Sequence, residues 1–190
     1  MVEKEEWIEE VEKFTDFKIP EEYQKIYTQQ EMQSIGDLFS LMVTGELILN
    51  PDFQRSYIWN VSRASRFIES LLLELPVPPI FLAEQQDDKL VVIDGHQRLE
   101  TIYRFLLPLA DTEKSVRFSS IGVGDKKRNV ITVTALTLQD LEVLSNINGK
   151  KLFDIETEKK KLLDYKISVV KVFKNTHPLI KYSLFNLKNA

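Results

Sequence analysis

Three of the chain's prolines, Pro76, Pro78 and Pro79, crowd into one short turn, and nothing else in the sequence constrains the fold so tightly. Proline has no amide hydrogen and disfavours the helical conformation in the residue before it, so a helix entering this stretch must stop there. Upstream, Ala64, Phe67, Ile68, Leu71, Leu72 and Leu75 fall on an i, i+3, i+4, i+7 stripe, which predicts a helix over 63–75 with one buried face. Downstream, two short apolar runs at 80–83 and 90–93 are separated by the polar turn 85–89, the pattern of paired strands. The second run leads straight into Asp94-Gly95, after which Leu99, Ile102, Tyr103 and Leu106 mark a further amphipathic helix ending near Pro108. Helix, strand pair, glycine turn, helix is the grammar of an α/β domain.

The flanking segments extend this pattern. Ser34-x-x-Asp37 opens a helix carrying Met32, Ile35, Leu38, Phe39 and Met42 at helical intervals up to Gly45, and a short strand is expected over 47–54. A β-branched run at 130–134 comes next, then a helix beginning after Thr137-x-x-Asp140 and stopping at Gly149. A charged helix from about Glu156, a strand over 167–173 and a last amphipathic segment at 179–187 complete the chain. Residues 1–31 read as an N-terminal helical arm, with Trp7, Val11 and Phe14 at near-helical spacing. Residues 32–190 read as one domain, expected to be cut short within its C-terminal helix.

Composition narrows the class. With 43% hydrophobic and 28% charged residues and six glycines in 190 residues, the chain can bury a core and is not low-complexity. There are no cysteines, so disulfides, thiol catalysis and thiolate metal sites are excluded. No apolar run reaches the roughly 18 residues of a spanning helix, and the opening ten residues, with five glutamates, do not resemble a signal peptide; a cytoplasmic setting without membrane contact is expected. A net charge of -4 argues against a uniformly basic nucleic-acid surface. It conceals an asymmetry, since residues 1–104 carry 20 acidic against 10 basic side chains and residues 105–190 carry 9 against 15. The basic runs at 126–128 and 159–161 suit a solvated face or, as the minority reading, phosphate contact.

Two segments concentrate polar chemistry. In Val92-Ile93-Asp94-Gly95-His96-Gln97-Arg98, Asp94 reads as an N-cap and Gln97 as its capping-box partner. Capping leaves Arg98 unexplained. Gly95 admits close approach to the backbone, the first-turn amides and helix dipole favour an anion, and Arg98 adds a planar donor fork, so the outline is that of a phosphate site. The second segment, 50–59, holds Gln54, Arg55, Tyr57 and Trp59. Arg55 is placed to close a second side of the pocket, while Tyr57 and Trp59 suit packing or base stacking. His96 and His177 are too isolated to suggest zinc. Asp94 and Glu100 could hold magnesium through water, although such a pair also serves simply to decorate a helix's first turn. No metal ligands are assigned.

Taken in order, Pro51-Asp52-Phe53-Gln54-Arg55-x-Tyr57-x-Trp59, Phe67-Ile68-Glu69-Ser70-Leu71-Leu72, Leu75-Pro76-Val77-Pro78-Pro79-Ile80 and Val92-Ile93-Asp94-Gly95-His96-Gln97-Arg98-Leu99 resemble the N-terminal domain of GmrSD-type modification-dependent restriction enzymes. The resemblance spans roughly residues 34–187. It implies a ParB/sulfiredoxin-like α/β fold, a small mixed sheet with surrounding helices, and a role in binding and hydrolysing a nucleoside triphosphate, with Mg2+. By that resemblance Asp94, His96, Gln97 and Arg98 are the catalytic candidates, and Gln54, Arg55, Gly95 and Arg98 the nucleotide-binding ones. His96 stands where the family usually has glutamine and Glu100 where threonine is usual. The resemblance also implies partnership with DNA and with a C-terminal nuclease domain or subunit, so the chain alone is expected not to cut DNA. Two further readings remain open, a ParB-like DNA-binding or nuclease domain that needs no nucleotide, and a scaffold with a vestigial pocket.

Overall fold

The computed structural model describes residues 26–49, 57–110 and 134–176. Within them run β1 (Thr28–Ser34), α1 (Ile35–Thr44), β2 (Leu47–Ile48), α2 (Val61–Leu72), β3 (Ile80–Glu84), β4 (Leu90–Asp94), α3 (His96–Leu106), α4 (Glu156–Asp164) and β5 (Lys166–Val172), with short 3-10 turns at Leu107–Leu109, Ser145–Ile147 and Leu152–Asp154. The strands form one sheet in the order β1-β5-β3-β4-β2. It is mixed: β1 is antiparallel to β5, β5 parallel to β3, β3 antiparallel to β4, and β4 parallel to β2. The chain is therefore a small α/β fold, as its alternation of strand and helix patterns predicts.

Side-chain alternation divides the sheet into two faces. Ile80, Leu82, Leu90, Val92, Ile167 and Val169 belong to the main core, together with Ile35 and Leu38 of α1, Ile68 and Leu71 of α2, Leu99, Ile102, Phe105 and Leu106 of α3, and Leu162 of α4. Ala83, Val91, Ile93 and Val172 form a smaller cluster with Ile48 and Phe81, the alternate residues of the same strands. Ile93 thus lies in a central strand as expected, on the face away from Leu99 and Ile102.

Most elements arise where local chemistry places them. The Ser34 hydroxyl accepts from the Asp37 amide at 3.0 Å and donates to the Asp37 carboxylate at 2.7 Å, starting α1. Asn60 Oδ1 accepts from the Arg63 amide and starts α2, and the proline turn separates α2 from β3. Three expectations change. Thr28–Ser34 pairs with β5 along seven residues, so the sheet reaches into the stretch read as an arm; its polar sequence suits an edge strand, which needs few apolar side chains. The helix expected after Thr137 is absent, and 134–144 carry no regular structure. Side chains of α2 take the amides a helix would have used. Ser65 Oγ accepts from Gln139, and the buried Glu69 carboxylate accepts from Glu142, Val143 and Leu144 at 3.1, 2.8 and 2.7 Å. Arg66 pairs with Glu142 at 2.6 Å and donates to the Asp140 carbonyl. Such local bonding competes directly with a helical ladder. The strand expected over 47–54 is two residues long up to Ile48, and residues 50–56, 1–25, 111–133 and 177–190 lie outside the described part, with the arm helix, most of the 130–134 run and the last amphipathic segment.

Candidate functional site

The site is built on the step from β4 to α3. A bulge in β4, where Ile93 is the extra residue, sets Phe81 opposite Asp94, the last residue of that strand. Gly95 follows in the left-handed region at φ 102° and serves as the N-cap of α3. A Cβ there would suit neither the backbone nor the space, because it would collide with Ile80 Cδ1. Glycine offers no capping side chain, so the N-cap residue itself makes no side-chain cap bond. The positive end of the helix dipole therefore opens without the acceptor that a Ser, Thr or Asp at the N-cap position would supply.

This corrects the capping reading of Asp94 and Gln97. Asp94 still belongs to the strand, one residue too early to cap, and its carboxylate turns to Arg98 Nη2 at 3.0 Å. Gln97 reaches sideways instead of back, its Oε1 accepting from the amides of Ile58 at 2.9 Å and Trp59 at 3.3 Å. Arg98 donates from Nη1 to the Pro78 carbonyl, and both terminal nitrogens lie 3.4 Å from the Pro79 carbonyl. Its side chain is 12% exposed. Burial pulls its pKa below the usual arginine value, opposed by the charge and hydrogen bond of Asp94. The guanidinium thus clamps the proline turn onto the first turn of α3 and itself lies buried beside the N-terminus of that helix.

A second polar row follows the same helix. His96 Nδ1 donates to the Leu49 carbonyl, tying the end of β2 to α3, and its Nε2 lies 3.1 Å from Glu100 Oε2. Glu100 Oε1 accepts from Arg104 Nη2 at 2.5 Å and Nε at 3.0 Å. Burial works to raise the Glu100 pKa, but His96 and Arg104 outweigh it and hold the carboxyl below its usual range. Asp94 and Glu100, considered together as magnesium ligands, are instead each committed to a different cation.

Tyr57 and Trp59 stand beside this row. The Tyr57 hydroxyl is 2.9 Å from Thr101 Oγ1, and the Arg104 guanidinium lies 4.3 Å over the Tyr57 ring. Arg63 covers Trp59 at 4.6 Å, with Phe67 packed edge-on. Between these groups opens a cleft of about 220 Å³ lined by Tyr57, Trp59, Val61, Ala64, Arg104 and residues 134–137 and 139. Arg104 and Thr101 did not stand out in the sequence, although their spacing from Gln97 was a usable signal, since positions 97, 101 and 104 share one helix face. The structure brings Gln97, Tyr57 and Trp59 together along one side of α3 and turns Arg98 toward the proline turn, with Gly95 facing Arg98 and Ile80. Gln54 and Arg55 lie outside the described residues, and the expected approach of Arg55 to Arg98 lies there with them.

A small mixed α/β domain with a strand, a glycine N-cap and a helix whose first turn carries a buried arginine is the class that fold and site define. Residues 35–190 match the family of the GmrSD restriction endonuclease, N-terminal domain. The chain belongs to that family, and with it to the modules of restriction systems. No curated protein and no solved structure matches it. Among the described residues no helix is long and apolar enough to cross a membrane.

Proposed function

We propose that this domain is the nucleotide-responsive, NTP-hydrolysing module of a DNA restriction system. The observation that carries the reading is the N-terminus of α3, opened by a glycine at the N-cap and flanked by the buried guanidinium of Arg98. Backbone amides pointing along a helix axis, reinforced by a guanidinium, suit the oxygens of a terminal phosphate. In this reading the first-turn amides hold the phosphate, Arg98 supplies charge and keeps the turn in shape, and Gln54 and Arg55 are the further candidates for phosphate contact. Asp94 orients Arg98, Gln97 fixes the 57–59 segment, and His96 holds β2 against the helix, so these three work as positioning residues. Magnesium, when bound with the nucleotide, supplies neutralising charge on the phosphate oxygens. DNA cutting belongs to a C-terminal nuclease domain or subunit, because phosphodiester hydrolysis by the metal route needs clustered ligands to activate water.

Thermal unfolding with and without each nucleoside triphosphate and magnesium tests the proposal. A ligand bound only by the folded chain at a hundredfold excess over Kd stabilises it by about 2.7 kcal/mol. The wild type should gain stability from a triphosphate, and Arg98→Ala, compared with its own unliganded form, should gain none. Equal gains in both proteins would move the ligand elsewhere. No gain with any nucleotide, together with salt-sensitive retention on DNA, would favour a ParB-like DNA-binding domain.

A further inference from the structure

The cleft beside α3 is left unused by the phosphate site, yet it shares that site's supports. Gln97, in the first turn, holds the amides of Ile58 and Trp59, and one turn later Thr101 meets the Tyr57 hydroxyl. The aromatic wall therefore runs along α3 away from its N-terminus. Arg104 lies eight residues beyond His96, about 12 Å along the helix, a separation that an extended nucleoside triphosphate spans between its terminal phosphate and its base. Glu100 grips Arg104 through Nη2 and Nε, so the guanidinium plane is fixed against Tyr57 instead of swinging in solvent. A fixed planar cation layered on an aromatic ring is a stacking surface, and the side chains of Thr137 and Gln139, both lining the cleft, can donate and accept hydrogen bonds.

Resting on the nucleotide reading above, we infer that this cleft is the nucleobase subsite. A heteroaromatic base stacks against the layer of Arg104 and Tyr57, its edge meets Thr137 and Gln139, and its phosphates extend to the N-terminus of α3. Stacking on aromatic and guanidinium surfaces is tolerant of base identity, so the subsite adds affinity for any nucleotide and leaves selectivity to the edge contacts.

The test compares the affinity of a nucleoside triphosphate with that of inorganic tripolyphosphate, each with magnesium, by equilibrium titration. The wild type should bind the nucleotide roughly tenfold or more tightly than tripolyphosphate. Ala135→Phe, which fills the cleft, should bring nucleotide affinity down to the tripolyphosphate level and leave tripolyphosphate binding unchanged. Thr134→Trp, at an exposed position on the cleft rim, should act the same way and serves if Ala135→Phe does not fold. Equal affinity of the wild type for both ligands overturns the base subsite while the phosphate site stands. A nucleotide preference that survives both substitutions places the base elsewhere and also overturns it. Binding of neither ligand overturns this inference and the nucleotide reading together.

Discussion

Gly95 and Arg98 govern the site at the scale of single residues, for reasons only partly visible in the sequence. A glycine between a strand and a helix marks a turn, and its φ of 102° accords with that. The crowding by Ile80 is a tertiary fact that no local pattern carries. Gly95→Ala should cost about 1–3 kcal/mol in urea unfolding. Adding Ile80→Ala should not simply sum with it, because removing the Ile80 methyls relieves the collision while the backbone penalty remains; strict additivity would show that the crowding is immaterial. The need for more than capping to explain Arg98 was legible. Its partners were not, because the Pro78 and Pro79 carbonyls reach it only through the packing of the proline turn on α3. Arg98→Lys keeps the charge but loses the planar fork. Hydrogen exchange should accordingly rise at Val77 and Ile80, the amide-bearing neighbours of the proline turn, and unchanged protection there would contradict the clamp.

The elements on either side of the prolines were legible because their periodicities are strong. The stripe over 63–75 became α2, which stops at Leu72 and leaves Leu75 exposed, the two apolar runs became β3 and β4, and the 99–106 stripe became the buried face of α3. The segment at 134–150 misled because Thr137-x-x-Asp140 looks like a helix start, and nothing local reveals that Ser65 and Glu69 on α2 claim its amides. Glu69 is 5% exposed. Burial works to raise its pKa, and the amides of Leu144, Glu142 and Val143 outweigh that and lower it. A carboxyl whose folded pKa is lowered stabilises the fold fully above its unfolded pKa, and that contribution disappears as pH falls through the folded value. The wild type should therefore lose stability on going from about pH 7 down past the ordinary glutamate pKa near 4.3. Glu69→Gln should be less stable at neutral pH and show a shallower loss on acidification; an identical pH profile would contradict the role given to Glu69. Glu69→Ala leaves the three amides without their acceptor and should cost about 3 kcal/mol, roughly 10 °C in Tm.

Across the whole molecule, the acidic excess of residues 1–104 and the basic excess of residues 105–190 belong to one chain whose sheet takes four strands from the first part and β5 from the second. The α/β class was legible from the order of patterns, and family membership over residues 35–190 from blocks recurring in sequence order. The cleft was not, because Tyr57, Arg104 and residues 134–139 come from three separated stretches that only the fold unites. In a restriction system with this division of labour, the purified chain should leave plain and modified DNA intact with magnesium or manganese. Cleavage lost in Asp94→Ala or Arg98→Ala would make the pocket itself a nuclease. The central claim is that the glycine-capped turn of α3 receives a nucleotide's phosphates, and the most direct measurement is a crystal structure of the protein grown with a non-hydrolysable nucleoside triphosphate and magnesium. The account predicts phosphate oxygens at about 3 Å from the first-turn amides of α3, beside Arg98. A nucleotide bound away from that turn, or a turn whose amides are occupied by another part of the chain while the nucleotide is held elsewhere, would contradict it.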